Sequence, residues 1–87
     1  MAVRIEFYGI VRHQAGAAST QVEAATLGEA LDEVAREFPG LAEHCLDRNR
    51  LRAGYLANVN GARFTSDPAT ELRQGDTVLL LSADAGG

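Results

Sequence analysis

Apolar and polar positions alternate from the start of the chain. Val3, Ile5 and Phe7 fall in one phase, and Arg4, Glu6 and Tyr8 in the other. A period of two is that of a strand with one buried face. Gly9 and the Gln14–Ala18 stretch, with Gly16 in its middle, predict a hairpin connection to a second strand over Ser19–Ala24. The period then changes. Leu27, Ala30, Leu31, Val34 and Phe38 recur at helical spacing, with Glu29, Asp32, Glu33, Arg36 and Glu37 on the opposite side. Thr26 and Glu29 fit a capping box, in which the hydroxyl accepts from one backbone N–H and the carboxylate from another. Asp32 and Arg36 are placed for an i,i+4 pair worth a few tenths of a kcal/mol. Pro39-Gly40 ends the helix. Leu41–Leu46 can add one short turn with Leu41 and Cys45 inward.

Tyr55–Val59 reads as a strand, and Asn60-Gly61 after it is a strong type I′ turn signal, because both central residues need positive φ. Arg63-Phe64 begins the return. Asp67-Pro68 and Gly75-Asp76 mark further turns, and the last strand spans Thr77–Ala83. Strands on either side of one substantial helix predict an α+β domain with a single sheet packed on it. The last strand is apolar at every position from Val78 to Leu81, the mark of a central strand. If Val78 and Leu80 meet the helix, Leu79 and Leu81 face outward. With one helix available, that outer face is expected to be a partner-docking patch.

A length of 87 residues allows one domain. The net charge of −4, without a basic stripe, argues against nucleic acid as a partner. No apolar run approaches the ~20 residues of a membrane span. Met1-Ala2-Val3-Arg4 leads straight into a strand without a signal-peptide pattern, so a cytoplasmic location is expected. All 8 basic residues are Arg. Without lysine, chains linked tail to lysine are impossible.

Candidate chemistry among the side chains is sparse. Cys45 is the only cysteine, which excludes an internal disulfide, a four-cysteine zinc site and an iron–sulfur cluster held within one chain. His44 and Cys45 are adjacent on a short turn and diverge, and His13 sits in a loop. Ser66-Asp67 before a proline is turn chemistry. Gly9, Gly16 and Gly28 fit neither a dinucleotide fingerprint nor a phosphate loop. Arg48, Arg50 and Arg52 form a small basic cluster, read as a solvated loop or as a contact for an acidic partner. No cofactor and no metal is expected.

The end of the sequence is different. Gly86 and Gly87 add nothing to packing and lose the most entropy on ordering. Their physical use is thinness, since a tail without Cβ atoms can thread a narrow channel and present a carboxylate to an enzyme. Extended, Asp84–Gly87 would reach ~13 Å beyond the sheet. A carboxylate can be adenylated, which makes its carbon electrophilic, and then captured by sulfur or an amine.

Val3–Tyr8 with Val11-Arg12, Thr26–Leu31 with Phe38-Pro39-Gly40, Val59-Asn60-Gly61, Leu72 with Gly75–Val78, and Gly86-Gly87 together resemble the MoaD/ThiS family of sulfur carriers. The resemblance covers essentially the whole chain. It implies a ubiquitin-like β-grasp over residues 1–83, a mixed sheet of four to five strands with the first and last adjacent and parallel. It also implies a flexible tail over 84–87. The implied chemistry has an E1-like enzyme adenylate Gly87, a sulfur donor convert it to a thiocarboxylate, and a synthase large subunit or other sulfur-accepting enzyme receive the sulfur. Gly87 is then the reacting residue, and Gly86, Ala85, Asp84, Leu79 and Leu81 contact partners, which supply the catalytic groups. The small subunit of molybdopterin synthase suits the length and the first strand best. Leu81-Ser82-Ala83-Asp84, however, replaces the Phe-Pro-Pro-like residues common there. Carriers for cysteine or thiamine synthesis and ubiquitin-like protein modifiers are the alternatives.

Overall fold

The computed structural model describes residues 1–86. The chain runs β1 (Ala2–Phe7), α1 (Ile10–Ala15), β2 (Ser19–Glu23), α2 (Leu27–Glu37), α3 (Pro39–Cys45), β3 (Leu46–Asp47) and β4 (Arg50–Leu51). It continues through β5 (Tyr55–Val59), β6 (Arg63–Thr65), β7 (Thr77–Ser82) and α4 (Ala83–Gly86). Five strands form one mixed sheet in the order β2-β1-β7-β5-β6, and β3 pairs with β4 in a separate hairpin. β1 and β7 are adjacent and parallel, with Ile5 opposite Val78 and Phe7 opposite Leu80. β5 closes on the other side of β7, antiparallel, with Ala57 opposite Leu80. The fold is the α+β architecture of one sheet packed on a main helix expected from the residues, with the first and last strands adjacent and parallel as the resemblance implies.

Strand alternation decides the core. Val3, Ile5 and Phe7 of β1, Val78 and Leu80 of β7, and Ala57 and Val59 of β5 join Leu27, Ala30, Leu31 and Val34 of α2 in one buried cluster. Each fully buried Leu or Val there contributes about 1.5–3 kcal/mol. Phe7 and Phe38 meet edge to face, with ring centres 5.1 Å apart.

The start of α2 is held from two directions. Thr26 Oγ1 accepts from Glu29 N–H at 3.2 Å. The Glu29 carboxylate reaches one residue further than a capping box requires, accepting from Ala25 N–H at 2.8 Å. The carbonyls of Thr70 and Pro68 take the N–H groups of Leu27 and Gly28, both at 2.9 Å. Three of the donors that a helix N-terminus leaves unpaired, on Leu27, Gly28 and Glu29, are thereby satisfied. Gly28 permits this approach, since a Cβ there would lie 3.1 Å from Pro68 Cβ and 3.2 Å from Asn49 Nδ2.

Three local expectations are corrected. The β1–β2 connection contains helix α1, because Gly9 and Gly16 bracket a turn anchored by Val11 at 1% exposure. Arg36 pairs with Glu33 at 3.0 Å, one turn position closer than Asp32. The last strand stops at Ser82, and Ala83 opens α4. Asn60 and Gly61 do adopt positive φ, 57° and 69°.

Asp76 ties that turn to β7. Its carboxylate accepts from Asn60 Nδ2 at 2.9 Å and from Arg73 N–H at 2.8 Å. These bonds, that of Asn60 foremost, hold its carboxyl below the ordinary 3.8. A depressed carboxyl stabilises the fold above its unfolded value, and that contribution is lost as pH falls through the lower folded value. Asp76→Asn should therefore lower the melting temperature at neutral pH, with the gap from wild type closing as pH falls below 3.8; a gap independent of pH contradicts the assignment. Gly28→Ala should cost about 1–3 kcal/mol in urea unfolding through overpacking, and an unchanged midpoint would mean that Pro68 and Asn49 yield freely.

Candidate functional site

The side of the sheet away from α2 is built by the second phase of each strand. Register places Glu6, Leu79, Asn58 and Phe64 in one row across β1, β7, β5 and β6. In the next row Leu56 lies opposite Leu81, with Tyr8 just beyond Phe7, the residue paired to Leu80. Tyr8 N–H donates to Leu80 C=O at 3.0 Å, so the Tyr8 backbone runs beside the end of β7. Tyr8 is 53% and Phe64 54% exposed. Leu79 and Leu56 are half-buried. A shallow depression of about 360 Å³ at one end of this face is lined by Glu6, Asn58, Asn60, Gly61, Thr77 and Leu79.

Leu79 faces this side as expected. Leu81 is corrected: at 4% exposure it is buried, although it lies outside the main core cluster. A central strand is screened by its neighbours on both sides, so a residue can be buried without a helix over it. Leu81 is part of the support of the patch, and Tyr8 and Phe64 are its exposed aromatic members. The sequence left both out of the candidate site. The phase of β1 pointed Tyr8 outward, yet its place beside β7 depends on a parallel pairing between distant segments.

The tail root is fixed where β7 ends. Ser82 pairs with Tyr55, and Ala83 N–H donates to Gly54 C=O at 2.7 Å. Ala83–Gly86 form a single helical turn, with Asp84 exposed. At ~1.5 Å per residue, a turn spans less than half the reach of an extended tail. Of the expected contact residues, Asp84, Ala85 and Gly86 lie in this turn; Gly87 lies outside the described residues.

The other candidates do not converge. His13 and His44 are exposed. Cys45 is buried, its Sγ donating to Gln14 Oε1 at 2.9 Å. Burial pushes its thiol up from 9.0, against the opposing influence of Tyr55 and Arg52. Asp67 serves its own turn, accepting from Ala69 N–H at 2.9 Å. Among the described residues, no three His, Cys, Asp or Glu side chains are grouped to hold a metal ion. No helix in them is long and apolar enough to cross a membrane.

The family model described as the ThiS family matches residues 5–87, a span that includes both terminal glycines. The chain belongs to the ThiS family. ThiS-family proteins are small ubiquitin-like sulfur carriers. Among solved structures, this ThiS-family chain is similar to SAMP1 from Haloferax volcanii, at 21% identity over 100% of both chains and a TM-score of 0.81. It is similar to a chain of the BexX/CysO complex from Amycolatopsis orientalis, at 26% identity over 98% of this chain and 99% of that one, with a TM-score of 0.78. A third is a chain from the complex of subunits 1 and 2 of molybdopterin-converting factor from Helicobacter pylori. It is 24% identical over 100% of both chains, with a TM-score of 0.67. At 21% and 24% identity, the first and third bear on the fold alone. No curated protein sequence matches this one.

Exposure separates the two leucines experimentally. Leu81→Ala should lose about 2–5 kcal/mol in urea unfolding, and Leu79→Ala about 1 kcal/mol or less. Equal losses would mean that Leu79 is also structural.

Proposed function

We propose that the protein is a sulfur carrier whose reacting group is the carboxylate of Gly87. The observation that carries this reading is the position of Gly86-Gly87. In sequence they follow the central strand of a ThiS-family β-grasp, and that strand borders an open face bearing Leu79, Tyr8 and Phe64. An E1-like enzyme docks on that face while the tail unwinds from its helical turn and extends into the enzyme. A carboxylate oxygen attacks the α-phosphorus of ATP, and pyrophosphate leaves. A sulfide-level nucleophile then attacks the acyl carbon, and AMP leaves, giving the thiocarboxylate. The domain contributes docking and delivery, and the partners contribute the catalytic groups.

Molybdopterin synthesis is the first pathway reading, resting on the first strand and the chain length. Delivery into cysteine-type synthesis is the second, favoured by the 26% identity to a chain of the BexX/CysO complex. The enzyme that co-purifies with the carrier discriminates between them: a molybdopterin synthase large subunit or a cysteine synthase.

Incubation with the activating enzyme, ATP and sulfide should raise the intact mass by ~16 Da, oxygen being replaced by sulfur. Deleting Gly87 should leave the melting curve unchanged and abolish the mass shift. Sulfur transfer by the deleted chain would reject the tail as the site, and a ladder of larger conjugates in place of the mass shift would favour protein modification.

A further inference from the structure

Three of the 8 arginines lie between positions 48 and 52 of a chain whose net charge is −4. They ride on the β3–β4 hairpin, whose register sets Asp47 opposite Arg50 and Leu46 opposite Leu51. Leu46 roots the hairpin in the core at 4% exposure. Arg48, Arg50 and Arg52 are all exposed. Ion pairs among the described residues join Met1 to Glu23, Arg4 to Glu6 and Arg36 to Glu33, and none involves the hairpin. Arg52 is partly engaged, donating from Nε to Leu46 C=O at 2.9 Å and bracing the hairpin's base. Arg48 and Arg50 form no ion pair with a described residue.

The hairpin is held in place. Arg48 has φ of 60°, a left-handed conformation that glycine or asparagine would take at lower cost. Asn49 beside it packs over Gly28, where a Cβ would come within 3.2 Å of its Nδ2. Strain of this kind persists where the surroundings over-determine it. The position is also specific. Two residues beyond Arg52, the carbonyl of Gly54 receives the Ala83 N–H at the tail root. Arg50 and Gly54, four residues apart, are within ~14 Å of each other at full extension. The base of the hairpin is tied to the tail root, since Tyr55 N–H donates to Arg52 C=O at 3.2 Å and Tyr55 pairs with Ser82, so a protein that takes in the tail works on the side of the domain where this hairpin begins.

We propose that Arg48 and Arg50 are an electrostatic docking point for an acidic rim on the activating enzyme, beside the channel that admits the tail. The inference rests on the reading of Gly87 as the reacting group. Two exposed cations on one short hairpin of a chain whose net charge is −4 suit a local acidic protein surface better than a nucleic acid, whose binding needs phosphate neutralised along a stripe. Rim charges act mainly on encounter rate and salt dependence, and leave chemistry after docking unaltered.

The test uses the full chain and the activating enzyme of the same organism, following carrier-dependent ATP–pyrophosphate exchange at about 50 and about 300 mM salt. Arg48→Glu with Arg50→Glu should raise KM about tenfold at low salt with kcat unchanged, and the difference should fade at high salt. The neutral pair Arg48→Gly with Arg50→Gln, which also relieves the strained φ, should raise KM about threefold and serves as the readout if the reversed variant melts early. An unchanged KM at low salt, or a fall in kcat at fixed KM, overturns the docking role. So does binding of a labelled single-stranded DNA 20-mer by wild type that is lost in the variant. Exchange supported by a chain lacking Gly87 would instead overturn the carrier reading. Gly87 dependence with a salt-insensitive, unaltered KM would remove the hairpin's role and leave the carrier intact.

Discussion

The parallel pairing of β1 with β7 is the constraint on which the rest depends. It joins residues more than 70 positions apart, matching Arg4–Phe7 to Thr77–Leu80. With it, Val78 and Leu80 are driven against α2, and the other face of β7 is left between β1 and β5. A slip of one residue would exchange the two faces, bringing Leu79 inward and exposing Leu80. The register is held because one face is a packed core and the other is not. Asp76 and Asn60 reinforce it where β7 begins, and Gly54 holds the chain where β7 ends.

This arrangement separates stability from function. Leu27, Leu31, Val34, Ile5 and Val78 make the domain cohere from one side of the sheet. The opposite side carries Tyr8, Leu79 and Phe64 over a buried Leu81, and the tail leaves from the end of the same central strand. A carrier of this design has no need of a cavity shaped around a substrate. On the proposed reading, its chemistry is that of a main-chain carboxylate, and its specificity lies in which protein surface can dock while the tail enters. The proposed arginine contact would add a charged patch to an apolar one, so that encounter and fit would be controlled by different parts of the molecule.

Much of the fold was legible because its signals are local. The Thr26 cap, the 3.6-residue period of α2, the Asn60-Gly61 turn and the alternation of β1 each involve neighbours within a few residues. The misreadings have physical causes as well. Helix α1 is too short to show a period, and its bracketing glycines read as loop. Arg36 chose Glu33 over Asp32 because two partners on one exposed helix face differ by only tenths of a kcal/mol. The β3–β4 hairpin went unread because its two-residue strands are too short to show a period.

By itself the sequence determined the class of the domain, its main helix, most of its strands, and the tail as the candidate reacting group. These follow from periodicity, capping, turn chemistry and the thinness of glycine. Only the tertiary structure decided which of two leucines in the outward phase, Leu79 and Leu81, is buried, that Tyr8 and Phe64 border the open face, and that the base of the basic hairpin meets the tail root. Each depends on which strands become neighbours, a choice made by the shared burial of distant segments, on which no local pattern carries information.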